Sequence, residues 1–410
     1  MGQVIDYHAA AGETPTGKIP FEELKRRTQA LVPTLRARTA QVESDRRVSA
    51  DSIQMMRDAD LFRLMMPARF GGFEYGFAEF IDIVVELGRG CASSAWCGGL
   101  GIVHNWLIAQ FPLEAQEEVW ADRTNILAGS YAPIVRAERV DGGYRIAGRF
   151  PFASGCDNAQ WYLIGALLPP EEDGGRPTPS FLLVPRAHTE ILDDWHTVGL
   201  AGTGSKSIVI KEPTFVPKHR RLTFAEASSN HPPGTNALTN PMYRIPFLAS
   251  VPVCLVSPAI GTLLSAVDEY LEWAGPRTTH GAVVGAGNAM REYAQVQARI
   301  AEGAAAADCA KLLLQRDVRD VEDELRAGGF ISVAKRMRNR RDHAYATRLC
   351  VQGVTALFEG VGGAGLHMSS GIQRAWRDVH AVARHVSLNW DAVSTMYGQF
   401  QFGLEPKGQY

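Results

Sequence analysis

Few side chains in this 410-residue chain are placed to do chemistry. His385 stands in Ala383-Arg384-His385-Val386-Ser387-Leu388-Asn389, where no carboxylate occurs before Asp391. An imidazole titrates near neutrality, so it can hold or pass a proton at working pH where an amide cannot. His104 follows Trp96 by eight residues. Ser154 lies in Phe152-Ala153-Ser154-Gly155, and Thr203-Gly204-Ser205 follows roughly fifty residues later. A serine at a strand-end corner offers its hydroxyl to a polar ligand atom, and Gly155 lets backbone come close to it. Arg277, in Trp273-Ala274-Gly275-Pro276-Arg277, is a permanent cation whose forked donors suit phosphate oxygens.

Other features carry less. His343, His367 and His380 read as core or surface histidines, and without an HExxH or similar cluster no metal site is expected. Gly360-Val361-Gly362-Gly363-Ala364-Gly365 matches GxGxxG in form. It follows a long helical stretch rather than a strand, which excludes a dinucleotide fingerprint and leaves a turn. The run Lys335 to Arg341 reads as a solvated helix face, with a docking patch as the alternative.

The elements that must position these groups fall into blocks. Residues 21–123 read as helices: one from Phe21 through Leu35 and Val42, one capped by Ser49, one from Phe77, and one capped by Ser93-Ser94 that carries Trp96 and His104. Residues 124–225 change to strands, with alternation around Tyr144 to Arg149 and short apolar runs at 161–168, 180–185 and 207–210. This block is predicted as a small antiparallel sheet domain. From 226 to 410 helical periodicity returns, with bundle-sized helices predicted at 287–318 and 328–359. Residues 1–20 read as a disordered arm. Apolar residues make up 46% and charged residues 21%, as in ordinary globular proteins, and the net charge of −2 excludes a long-range pull toward nucleic acid or an anionic membrane. The apolar stretch 245–267 is broken by Pro246, Pro252 and Pro258, so it reads as a buried helix and not a membrane span. Six scattered cysteines without a CxxC pair, and no export signal at the first residues, predict a cytoplasmic protein.

Helix, then sheet with a Ser-Gly corner, then helix is an order that resembles the acyl-CoA dehydrogenase fold over roughly residues 20 to 405. In that fold Ser154, Gly155 and Phe152 would wall an isoalloxazine ring, Arg277 would grip the phosphate end of the flavin, and Gly362 and Gly363 match a glycine turn near a cofactor at a subunit boundary. Arg374-Ala375-Trp376-Arg377-Asp378 resembles an RxxRD element that many dehydrogenases follow with a catalytic glutamate; here His385 takes that place. A histidine followed by Leu-Asn is similar instead to the two-component flavin monooxygenases, such as the oxygenase component of 4-hydroxyphenylacetate 3-hydroxylase. His104 matches their second active-site histidine, and Trp195 to Ser205 carries their WxxxGxxGTGS phrase, with Ala201 where relatives often have arginine.

The resemblance implies a homotetramer that takes reduced flavin, FMNH2 or FADH2, from a separate NAD(P)H-dependent reductase. With O2 this would give a C4a-hydroperoxide that hydroxylates a small phenolic or indole-like substrate. Trp96 and Phe152 would pack on the ring, Ser154 would serve its N5 side, His385 would be the base, and His104 would position the substrate oxygen. An acyl-CoA dehydrogenase, an N- or S-oxygenating enzyme and a non-catalytic scaffold on the same fold are the alternatives.

Overall fold

The computed structural model describes residues 17–170, 175–279, 287–408 and 410, so the expected N-terminal arm lies outside the described residues as far as residue 16. Five helices come first: α1 (Phe21–Asp45), α2 (Ala50–Asp58), α3 (Phe77–Gly90), α4 (Ala92–Ile108) and α5 (Leu113–Val119). Ser49 caps α2 by accepting from the Ser52 amide at 3.2 Å. The cap expected at Ser93-Ser94 is not one: α4 begins at Ala92 behind Cys91, and both serines are buried in its first turn. Every residue of α4 is buried, so it is apolar on all sides and runs through the middle of the protein. Gly98 and Gly101 make this possible, since a Cβ would meet the Met56 sulfur at 2.9 Å in one case and the Phe62 ring at 2.7 Å in the other.

Eight strands follow: β1 (Leu127–Arg136), β2 (Glu138–Val140), β3 (Gly143–Ala153), β4 (Trp161–Leu168), β5 (Thr178–Pro185), β6 (Glu190–Leu192), β7 (Lys206–Pro217) and β8 (Arg221–Thr223). They form two four-stranded sheets, ordered β1-β4-β5-β8 and β2-β3-β7-β6. The expected all-antiparallel pattern is corrected at one place, where β1 pairs β4 in parallel. The chain leaves β1, crosses to the other sheet for β2 and β3, and returns beside β1, a long crossover that permits the parallel pairing a tight hairpin could not. The return passes through Ser154-Gly155.

Alternation on β4 and β5 explains how the sheets meet the helices. Tyr162, Ile164, Leu182 and Val184 face the core between the sheets with Phe150 and Ile208. Leu163, Phe181 and Leu183 face the other way into the helical core. Both faces of this sheet are therefore buried.

The last block contains α6 (Phe224–Ala227), α7 (Phe247–Ser250), α8 (Val253–Ala274), α9 (Ala294–Arg326), α10 (Val333–Gly360), α11 (Gly371–Val382) and α12 (Trp390–Gln401). Helices α8 to α11 form the bundle, and α12 leans on α10. The stretch Phe247–Ala274 is long and apolar enough to cross a membrane, but it is mostly buried inside the protein. Helix α8 lies so close to α3 that a Cβ on Gly261 would sit 2.1 Å from the Val85 carbonyl. The basic run at 335–341 is not a solvated face. Lys335 pairs with Glu324, Arg338 reaches Asp320 at 2.8 Å, Arg341 reaches the Tyr397 hydroxyl at 3.0 Å, and Arg340 is buried.

Candidate active site

Three elements meet at Ser154: the end of β3, α4 and the loop of residues 200–205. Ser154 follows β3, and Trp96 of α4 donates its indole N–H to Ser154 Oγ at 3.0 Å. Ser154 Oγ lies 2.7 Å from Ser205 Oγ, which lies 2.7 Å from Thr203 Oγ1. Thr203 Oγ1 donates to the Leu200 carbonyl at 2.8 Å. Each hydroxyl owns one proton, and a carbonyl can only accept. Thr203 therefore spends its proton on Leu200, Ser205 gives its proton to Thr203, and Ser154 gives its proton to Ser205. The Ser154 oxygen is left as an acceptor, with one lone pair on the Trp96 indole and one to offer. The Gly155 amide donates to the Thr203 carbonyl at 2.8 Å and fastens the two corners together. Gly155 has φ +73°, a left-handed value that favours glycine.

Phe152 also has a left-handed backbone, φ +65°, which is costly for a bulky residue. Its ring is 67% exposed and meets Trp195 edge-on at 6.1 Å. Trp96 is buried behind the corner, and Phe152 projects from it. An exposed aromatic held in a strained turn is suited to cover a flat ligand.

The loop that carries Thr203 and Ser205 is locked from the bundle. The Leu200 amide donates to Asp378 Oδ1 at 2.7 Å, and Arg377 Nη1 donates to the Val198 carbonyl at 2.8 Å. Arg374 and Arg377 both pair with Glu43 of α1. The RxxRD element thus ties α1, α11 and the loop into one frame. Burial pushes the Asp378 carboxyl up to about 6.

His385 follows α11 in this frame. Its ring centroid is 6.1 Å from that of Trp96, with the planes tilted by 59°. Nδ1 accepts from the Ser387 amide at 3.1 Å, so the neutral imidazole carries its proton on Nε2. This changes the expected role. In this tautomer His385 presents a hydrogen-bond donor, and it takes up a proton only by releasing the Ser387 amide. Burial, reinforced by the Arg340 cation, pulls its pKa down to about 4, so it is neutral at physiological pH.

His104 lies eight residues beyond Trp96, roughly 12 Å along α4. Both of its nitrogens are engaged: Nδ1 with the Leu127 carbonyl at 2.7 Å and Nε2 with the Tyr131 hydroxyl at 2.5 Å. Nδ1 must donate to the carbonyl, so Nε2 accepts from Tyr131. Burial pulls His104 down to about 4. His104 therefore reaches a substrate oxygen only through Tyr131, whose ring is wedged between Phe181 and Phe247. Tyr131 is the residue that the sequence reading missed.

Arg277, Gly362 and Gly363 are not brought to the corner. Arg277 is exposed beyond the C-terminus of α8, with its guanidinium 4.7 Å from the Trp273 ring centre. Gly362 and Gly363 are exposed beyond the C-terminus of α10, with open space where a Cβ would be. The two sites share one end of the bundle, since a Cβ on Gly360 would meet Tyr270 of α8. Among the described residues no three His, Cys, Asp or Glu side chains converge as metal ligands.

A hydroxyl acceptor in a glycine corner, an exposed aromatic beside it and a helical frame around a β-sandwich define a flavin enzyme of the acyl-CoA dehydrogenase fold. Residues 22–124 match the family model for the acyl-CoA dehydrogenase N-terminal domain, and residues 253–390 match that for the C-terminal domain. The chain is 44% identical to the FADH(2)-dependent resorcinol hydroxylase, oxygenase component, of Rhizobium sp. (strain MTP-10005), over 97% of its own length and 98% of the relative's. It is 36% identical to the oxygenase subunit HsaA of a flavin-dependent monooxygenase from Rhodococcus jostii (strain RHA1), over 92% and 98%. The crystal structure of 3-HSA hydroxylase from Rhodococcus sp. RHA1 superposes with a TM-score of 0.88 at 34% identity, covering 94% of this chain and 98% of that one. XiaF from Streptomyces sp., in complex with FADH2 and glycerol, superposes with a TM-score of 0.85 at 25% identity, covering 95% and 97%. The chain belongs to the two-component flavin-dependent monooxygenases of this fold, as an oxygenase component that uses reduced flavin and O2.

Proposed function

We propose that this oxygenase hydroxylates a small phenol at ring carbon, with a resorcinol-like ring as the preferred class. The single observation that carries this reading is the Ser154 corner beside the neutral, proton-bearing His385. Reduced flavin bears an N–H at its N5 position, and the Ser154 oxygen, its own proton committed to Ser205, is an acceptor matched to it. When bound, the flavin activates O2 and supplies an electrophilic oxygen. The protein's part is to hold the ring between the corner and Phe152, to exclude water with the Trp96 side, and to hold a phenolic oxygen at His385 Nε2. Tyr131, braced by His104, offers a second polar group about two turns further along α4. The resorcinol activity named for the 44% identical relative supports the substrate class. The FADH2 named for that relative and bound in XiaF supports FAD over FMN. A coupled assay with a generic NADH-dependent flavin reductase, resorcinol and phenol tests the reading: trihydroxybenzene or catechol product is expected, and NADH consumption yielding only hydrogen peroxide with both would overturn it.

The reductase in this scheme is a separate NAD(P)H-dependent protein, and we place both in the cytoplasm. We further propose a homotetramer. Arg277 and Gly362-Gly363 suit the phosphate end of a cofactor, yet they lie at the far end of the bundle from Ser154, so they would serve a neighbouring subunit's site. Leu312, Leu366 and Met368 are each more than 60% exposed on the bundle, as apolar groups in a subunit contact would be. Light scattering should give four times the 44.8 kDa chain mass, and a stable monomer would contradict the assembly.

His385 also fixes a pH dependence. The neutral ring is the working form, and a pKa near 4 keeps it neutral until pH falls that far. His385 should therefore contribute no inflection near the ordinary imidazole value of about 6.5 between about pH 8 and about pH 5.5. Rapid-quench product formation across that range checks it.

A further inference from the structure

Behind His385 lies a cation without a counter-ion. Arg340 on α10 is 5% exposed, and its Nη1 donates to the Ser387 carbonyl at 2.9 Å, two residues from His385. Its Nε is buried and has no partner, and no described carboxylate lies within 4 Å of the guanidinium. The nearest acid in sequence, Asp342, is taken by Arg316 and Arg341, and Asp317 by Arg316 and Arg338. One turn along the same helix His343 is wholly buried with both ring nitrogens unpartnered. Asn339 of α10 grips the Ala249 carbonyl of the facing α7 at 3.1 Å, and Ser250, the residue after Ala249, has a buried hydroxyl without a partner. Orphaned polar atoms on α7 and α10 thus lie along one stretch of α10, whose Arg340 reaches the turn that carries His385.

A buried charge without a partner is costly, and a protein that keeps one gains by offering it to a ligand. Buried donors left unmade carry a similar cost. The flavin phosphate is not the ligand indicated, because in the proposed assembly that end is taken by the arginine and glycine turn of a neighbouring subunit. The group that comes to His385 is the phenolic oxygen of the substrate.

We propose that Arg340 is the counter-ion of a bound phenolate, with His343 and Ser250 completing a polar end to the substrate cavity that selects rings bearing an acidic oxygen. On binding, the phenol O–H bond breaks, its proton leaves to solvent, and its electron pair stays on the oxygen that faces Arg340 and His385 Nε2. The electron-rich ring needed for attack by an electrophilic oxygen is then present before oxygen transfer. The substrate class rests on the proposed hydroxylase activity, but the test below uses neither flavin nor oxygen, so the two can fail separately.

The probe is 4-nitrophenol, whose anion absorbs in the visible and whose neutral form does not. It is titrated with the parent protein one pH unit below its own pKa, beside 4-nitroanisole, which has the same shape and cannot ionise. The parent should bind nitrophenol as the yellow anion, about 10–100-fold more tightly than nitroanisole, the range for a charge-assisted hydrogen bond. Arg340→Lys should keep part of this preference and Arg340→Met should abolish it, while near-ultraviolet circular dichroism confirms the fold. Neutral nitrophenol in the bound state, equal affinity for nitroanisole, or an unchanged anion signal in a folded Arg340→Met would each overturn the assignment and leave Arg340 as a brace for the 386–388 turn. If the Met variant does not fold, Arg340→Lys decides: a folded Lys variant that keeps the whole parental preference would overturn the assignment.

Discussion

Replacing His385 by Asn should leave oxygen activation untouched and slow product formation by about 10²–10³-fold, the usual cost of removing one positioned donor from a site where negative charge is stabilised. Asn is chosen because its side-chain oxygen can still cap the Ser387 amide, as the His385 Nδ1 does now. The turn that carries residue 385 should therefore hold its shape. What is lost is the Nε2–H at its full reach, beside Trp96 and in front of Arg340. Reducing equivalents should then appear as hydrogen peroxide, because the oxygen is activated but finds no polarised ring. The measurement is product per NADH with resorcinol, alongside flavin reoxidation followed in the same samples. A variant that keeps the parental ratio of product to NADH would remove His385 from the chemistry.

Ser154→Ala should act one step earlier. The change removes the acceptor offered to the flavin N5–H and leaves the Trp96 indole and the Ser205 hydroxyl without their partner. A buried donor stranded in this way costs about 1–3 kcal/mol, which is about 5–150-fold in the lifetime of whatever state the corner stabilises. Reduced flavin should bind more weakly and reoxidise faster, with peroxide released before the substrate is used. Ser205→Ala provides a graded control. It deletes the group that receives the Ser154 proton, so Ser154 can turn and donate, and the corner should lose its preference for reduced over oxidised flavin. Fluorescence titration with both redox forms checks the pair. Equal affinities in parent and Ser154→Ala would contradict the role.

Parts of this site were legible from residue order. Trp96, Ser154, Thr203 and Ser205 occupy phrases whose spacing survives folding, because glycines at 155 and 204 take left-handed turns that other residues rarely adopt, and His385 follows the RxxRD element at a short fixed interval, just past the end of α11. The helical blocks were readable for a similar reason: their signals, such as the Ser49 cap, are local. What was not readable depends on chain segments that meet only in three dimensions. The parallel pairing of β1 with β4 is set by where β3 returns, and no dipeptide announces it. Tyr131 is an ordinary strand tyrosine until the fold brings it against His104, and the same contact turns His104 from a group free to position a substrate oxygen into an acceptor already in use. The direction of the hydroxyl chain from Ser154 to Leu200 follows from distances among four residues. Arg340 was hidden in a run of like residues. On a helix, neighbours in sequence point about 100° apart, so a part-buried, paired Arg341 and a buried Arg340 look the same in one dimension.

The chemistry proposed for this site depends on the Ser154 corner holding reduced flavin and keeping it from immediate reoxidation. Mixing the protein and reduced FAD with oxygenated buffer in a stopped-flow instrument tests this directly, without any aromatic substrate. A species absorbing in the near ultraviolet, formed before oxidised flavin and persisting for seconds or longer, is the result predicted. Oxidised flavin appearing at the rate seen in buffer alone, with no earlier species, would contradict it.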